Sequence, residues 1–248
     1  MSTEGSNFPL LNLETLTDQD AEVQTENGAI SWKKTLLFRQ IEVHQVPCTF
    51  ILYTDKAILV KRPLKELLVE FTTKASVLQF EMYAYAKFLK LRGSYHCVSG
   101  AYQMIASRGT NSAEATWLMS HHIESSHFVK NEHLMHITFK NHQTVALDIS
   151  KASLEKRIDE AHQIGVEQIT HDRQYNILHG TYNDVKDQWG ECNLDECGYH
   201  MKEHNITSFS LFKEKLLIKR VWKEVYSESV SGDIDQMMDR ILKQSFHG

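Results

Sequence analysis

Apolar and polar positions divide the chain into short strands followed by helices. Leu36 to Val43 is rich in β-forming residues and ends at the break Val46-Pro47. Thr49 to Thr54 is a second such run, Asp55-Lys56 makes a turn, and Ala57 to Val60 returns as a third strand, so the segment 35–61 is expected to hold three strands. Pro63 then suits a first helical turn. Leu64, Leu67, Leu68, Phe71, Ala75, Leu78, Met82, Tyr85 and Leu89 recur at helical spacing and predict a long helix over about 64–92. Thr72-Thr73 marks a candidate kink or break, and Lys90, Arg92 and Gly93 are suited to the helix end.

Residues 112–126, around Ala113, Ala115, Trp117, Leu118 and His122, read as helical. A hairpin follows over 133–149: Met135, Ile137 and Phe139 alternate with polar residues, as do Val145, Leu147 and Ile149. Matching the two apolar faces requires a loop with an odd number of residues. Lys140-Asn141-His142, with Asn141 near the left-handed region, pairs Ile137 with Val145 and Met135 with Leu147. Ser150 caps a helix carrying Leu154, Ile158 and Ala161 that is expected to end at Gly165. Shorter helices are expected over 171–179 and 182–189. The segment 206–226 fits either strand or helix, and Asp233 opens a terminal amphipathic helix with Ile234, Met237, Met238, Ile241 and Leu242. This order predicts an α+β fold with antiparallel pairing rather than a regular βαβ alternation.

Residues 1–28 carry six acidic side chains and no Lys or Arg, and read as an acidic, flexible tail preceding a single α+β domain over 29–248. Leu10, Leu11, Leu13 and Leu16 give that tail apolar positions able to dock on the body. The net charge is -5, but beyond the tail the chain balances 27 basic against 26 acidic residues. A near-neutral body gives no global electrostatic argument for nucleic acid, and nucleic acid is therefore not the expected partner. No secretory signal is seen at Met1 to Asn12, and no apolar run approaches the roughly 20 residues of a transmembrane helix. Four cysteines in a chain of this length do not make a disulfide scaffold, and an intracellular, cytoplasmic setting is expected. The chain is histidine-rich, with 14.

One compact constellation carries candidate chemistry. Cys192, Cys197, His200 and His204 place four zinc-type ligands within 13 residues. On a helix, His200 and His204 share a face. The alternative is two buried thiols and two solvated histidines. The same stretch, His200-Met201-Lys202-Glu203-His204, fits the H-x-x-E-H pattern in which two histidines hold zinc and the glutamate is the general base. A catalytic role for Glu203 lacks an obvious third ligand, because only Glu214, Glu224 and Glu228 follow. His171-Asp172 could be a metal-binding doublet completed by His133 or His142 and by Asp184 or Asp187, but it also reads as a helix start. His136-Ile137-Thr138 is a lone phosphate-gripping strand pattern without its second copy. The histidines at 121, 122, 127, 133 and 136 could form a metal or pH-sensing patch, but their spacing gives no fixed geometry and they read rather as a solvated face.

The expected function is accordingly a non-catalytic intracellular protein that binds another protein or a small ligand, with zinc as its one candidate cofactor. Two alternatives stand beside it: a metal-dependent hydrolase using His200, Glu203 and His204, and a small-ligand carrier with a pocket between sheet and helix.

Overall fold

A computed structural model describes residues 10–92, 96–109, 115–178 and 206–226. The fold is α+β, with two sheets and four helices among these residues. The strands are β1 (Leu11–Asn12), β2 (Val23–Thr25), β3 (Thr35–Val43), β4 (Val46–Tyr53), β5 (Ala57–Val60), β6 (Cys97–Ser99), β7 (Tyr102–Ala106), β8 (Thr116–Met119), β9 (Ile123–Val129), β10 (Leu134–Phe139) and β11 (Thr144–Leu147). The helices are α1 (Leu64–Lys74), α2 (Gln79–Phe88), α3 (Lys151–Leu178) and α4 (Ile206–Tyr226). The larger sheet has the order β2-β5-β4-β3-β8-β7-β6 and the smaller β1-β11-β10-β9. All pairs are antiparallel except β1 with β11 and β2 with β5.

Period-2 alternation puts successive residues of the larger sheet into two cores. Phe50, Leu59, Ile105 and Leu118 face inward and meet Met135, Ile137, Phe139, Val145 and Leu147 of the smaller sheet, with Leu154, Ala161 and Ile164 of α3. Phe38, Ile51, Ile58, Val60, Met104 and Trp117 face the other way, onto Leu64, Leu67 and Phe71 of α1. Both faces are covered, so these strands read as continuous apolar runs. A register irregularity between Thr35 and Leu37 turns both Leu36 and Leu37 into the inner core.

The β3–β4 hairpin closes through His44 and Gln45, with φ of 51° and 67°. Two left-handed residues in a two-residue loop make the tight turn that matches strand twist. Pro47 therefore lies within β4 rather than in a break, beyond the last residue of β4 paired to β5. The β10–β11 pairing matches Ile137 with Val145 and Met135 with Leu147 across the loop 140–142, but His142, at φ 68°, is the left-handed residue instead of Asn141. Asn141 instead accepts from Gln143 N at 3.2 Å and donates to Thr54 O at 2.9 Å.

Three helical expectations are corrected. The stripe over 64–92 is two helices. The chain turns after α1 through Ser76, at φ 54°, where Val77 N donates to Thr72 O (3.0 Å) and Ser76 N to Thr73 O (3.2 Å). That is a Schellman ending with serine in the usual glycine place. Helix α2 ends the same way through Lys90, at φ 57°, with Leu91 N donating to Ala86 O. Around Trp117 the chain is not helical but forms β8, a strand between β3 and β7. Gly165 does not end its helix: α3 begins with Ser150 Oγ accepting from Ser153 N and continues to Leu178. Gly165 is where α3 passes over the β6–β7 turn, and a Cβ there would stand 2.3 Å from the Gly100 carbonyl oxygen. The segment 171–178 is thus the last part of α3, and 206–226 is a helix. Residues 182–189 and 233–242 lie outside the described residues.

Residues 10–28 contribute to both sheets. Strand β1 pairs with β11, Leu13 is buried in the inner core, and β2 pairs with β5. Their acids make specific bonds: Glu14 accepts from Asp148 N (3.1 Å) and Glu22 from Ala57 N (3.1 Å). No helix among the described residues is long and apolar enough to cross a membrane.

Candidate functional site

The short turn before β3 presents Trp32 at the surface. Thr35 N donates to Ser31 O and Ser31 N to Thr35 Oγ1, each at 3.0 Å, which closes the turn. The Trp32 carbonyl accepts from Nε2 of both His121 and His122, each at 2.8 Å. A carbonyl cannot donate, so both rings carry their proton on Nε2, leaving His121 Nδ1 free to accept from Gln103 N at 3.1 Å. Burial pushes the pKa of both histidines down, against the opposing pull of the Trp32 carbonyl, and each lies near the positive charge of Lys140. Burial favours the neutral form of both rings, and the pair brackets the Trp32 backbone.

The Trp32 ring packs edge-on against Phe71 of α1 (4.7 Å between centroids) and is stacked with Tyr102 of β7 (5.8 Å, 20°). Trp32, Tyr102 and Phe71, with Lys33, Lys74 and Ala75, line an open pocket of about 330 Å³. An aromatic platform flanked by ammonium groups suits a planar ring bearing a phosphate, because stacking is tolerant of ring identity and lysine supplies point charge. A second basic surface lies on α4, where Lys213, Lys215, Lys219, Arg220 and Lys223 outnumber Glu214 and Glu224. Its first turns dock through Phe209, stacked on Tyr85 at 4.1 Å, whereas Leu217, Ile218 and Val221 are exposed further on. Lys213 pairs with Glu81 at 3.6 Å.

Cys192, Cys197, His200, Glu203 and His204 lie outside the described residues. Among the described residues no group of three or more His, Cys, Asp or Glu side chains is arranged to hold a metal. The His171-Asp172 doublet does not form such a group. His171 is buried in an aromatic cluster, its Nδ1 is hydrogen-bonded with the Tyr85 hydroxyl at 3.2 Å, and it lies 4.9 Å from the Phe209 ring. His133 and His142 are turn residues of the smaller sheet, with φ of 56° and 68°; Asp184 and Asp187 are outside the described residues. Thr138 uses its hydroxyl across the hairpin on Thr144 (3.1 Å), so His136-Ile137-Thr138 is not a free phosphate grip. The five-histidine run divides in two. His121 and His122 brace Trp32, while His127 and His136 lie side by side (5.3 Å) with His136 bonded to Glu132 at 2.8 Å.

Sequence reading missed Trp32, Tyr102, Lys33 and Lys74. They come from three separate segments, and no spacing within any one of them marks the pocket.

A family model described as ComK protein matches residues 107–173, 67 of the 248 in the chain. The match runs from β8 through β11 and into α3, and it contains the His121–His122 bracket. No curated protein and no solved structure matches the chain. The ComK family is one of DNA-binding transcription factors, which overturns the expectation that nucleic acid is not the partner. The physical reason is that near-neutrality is an average. It conceals local surfaces such as the lysine-flanked aromatic pocket and the basic α4.

Proposed function

We propose that this protein is a regulator that binds duplex DNA, with the Trp32–Tyr102 pocket and its lysines forming part of the contact surface. The observation that carries this reading is the ComK family match over residues 107–173. The matched segment supplies the two histidines that hold Trp32 in place, which links the match to the pocket. Lys33 and Lys74 neutralise backbone phosphate, and the aromatic face meets sugar or base edges.

The test is fluorescence anisotropy of the full chain with a labelled mixed-sequence duplex across a salt series. Binding should weaken as salt rises. The paired change Lys33→Ala with Lys74→Ala should lower the slope of log affinity against log salt by about 1.8, at about 0.9 per lost phosphate contact, and should weaken all sequences alike. An absence of binding at about 50 mM salt and tens of micromolar protein sinks the DNA reading. Binding that survives with an unchanged slope removes the pocket from the interface and directs the same test to Arg220 and Lys223 of α4.

A further inference from the structure

A second cavity opens on a different face of α1, beneath the α1–α2 corner. It encloses about 280 Å³. Most of its wall is apolar, from Leu68 and Val69 of α1, Val77 and Met82 beyond the corner, and Trp117 of β8, and Lys65, Thr72 and Gln79 complete the lining. Trp117 is fixed by stacking on Phe38, 6.2 Å apart and 10° from parallel. Cys97 also lines the cavity, and burial pushes its thiol up to about 11, so it is an apolar wall rather than a nucleophile. An engineered apolar cavity of about 150 Å³ is enough for benzene, and this one is roomier.

One polar side chain of the lining is itself fully buried. His96 is buried, 2% exposed, and its Nε2 lies 3.3 Å from Glu160 Oε2 on α3. Its Nδ1 has no hydrogen-bond partner among the described residues. Burial is the largest influence on His96 and favours the neutral ring, although Glu160 pulls the other way. A neutral ring that donates from Nε2 to Glu160 carries a bare lone pair on Nδ1. A buried acceptor left unmatched is costly, and a ligand donor would relieve that cost.

We propose that this cavity binds a small uncharged aromatic molecule bearing a single N–H or O–H donor, its ring between α1 and Trp117 and its donor on His96 Nδ1. Small-molecule sites are commonly concave and apolar with few converging polar groups, which is the arrangement of Trp117, Met82 and His96. The site is separate from the Trp32 pocket and does not depend on the DNA reading.

The probes are indole, which has one N–H donor, and 1-methylindole, which has the same ring without it. Titration into the full chain is followed by calorimetry or ligand-observed NMR. Indole should bind at least tenfold tighter than 1-methylindole. Val69→Trp adds bulk at the mouth of the cavity, at a residue already 58% exposed, and should weaken indole at least tenfold with an unchanged melting temperature. His96→Leu should abolish the difference between the two probes. If that variant does not fold, the probe pair and Val69→Trp still decide. Equal binding of the two probes, indole binding that Val69→Trp leaves intact, or no indole binding at millimolar concentration would each overturn the proposal.

Discussion

Replacing Gly165 by alanine sets helix propensity directly against packing. Alanine in the interior of α3 should gain about 1 kcal/mol over glycine. The added Cβ, however, would stand 2.3 Å from the Gly100 carbonyl oxygen, 3.3 Å from its carbon and 3.4 Å from Gln103 Nε2. An ordinary C···O approach is about 3.3 Å, so helix and turn must separate by about 1 Å. Gly100 is backbone in a two-residue β6–β7 turn at φ 58°, and it is tied to α3 by Gln168. Gln168 Oε1 accepts from Gly100 N at 2.8 Å and its Nε2 donates to Val98 O at 3.2 Å. Overpacking costs about 1–3 kcal/mol, and each strained hydrogen bond adds about 1 kcal/mol. The net expectation for Gly165→Ala is a loss of about 1–4 kcal/mol, a large share of a typical stability of about 5–15 kcal/mol. Urea unfolding followed by tryptophan fluorescence measures it as a lower midpoint at unchanged slope. Gly109→Ala is the control, because nothing lies within 4 Å of its Cβ position. A midpoint for Gly165→Ala equal to or above that of the parent refutes the close approach.

Other consequences follow from individual residues. Ser76 ends α1 in a left-handed conformation that costs a side chain about 1–2 kcal/mol, so Ser76→Gly should stabilise the fold by about 0.5–1 kcal/mol after the added chain entropy of glycine; thermal melting reads the rise, and a fall refutes the Schellman assignment. Burial holds His96, His121 and His122 below the usual imidazole range in the fold. With folded values below the unfolded one of about 6.5, these groups contribute stability that is complete above that pH and lost as pH falls below it. The urea midpoint should therefore be lower at about pH 5.5 than at about pH 7.5, and a flat or inverted dependence would show that the three rings do not titrate in this way. The zinc reading of Cys192, Cys197, His200 and His204 predicts a bound zinc by elemental analysis that is lost in Cys192→Ser; untagged protein that stays metal-free with zinc supplied refutes it.

What could be read from the sequence was local and periodic. The strands within 35–61 and the register of the 133–149 hairpin follow from alternation and from the need to keep both apolar faces on one side. What could not be read were features set by tertiary partners. Around Trp117 the residues are buried on both faces of the larger sheet, so β8 has no alternation to distinguish it from a helix. The break between α1 and α2 carries no glycine, because Ser76 occupies the position where glycine is usual, as Lys90 does at the end of α2. Gly165 looked like a stop signal, but it is there for close approach, and only the turn at Gly100 explains it. The two cavities share this cause. Trp32, Phe71 and Tyr102 converge from a turn, a helix and a strand, and His96 meets Glu160 only because α3 crosses the sheet beside it.

The position of the family match within this fold bears on how the proposed DNA contact should be tested. Residues 107–173 begin just after β7, take in β8 of the larger sheet, cross to β9, β10 and β11 of the smaller one, and continue into α3, which packs on β7 and β6. The buried faces of this segment, Leu118 in one sheet and Met135, Ile137 and Phe139 in the other, are completed by Leu37, Phe50 and Leu59 from outside it. The segment is therefore the joint between two layers and could not bury its own apolar surface alone. Within it acidic side chains outnumber basic ones, and its histidines at 121 and 122 are spent on the Trp32 carbonyl. Lys140 of the segment lies beside the histidine pair, whereas Lys33 and Lys74 of the pocket lie on elements that the matched segment does not contain. On these grounds a fragment limited to 107–173 would lose both its fold and the pocket lysines, and the proposed DNA contact is one to test on the full chain, where the joint holds the turn at Trp32 against α1.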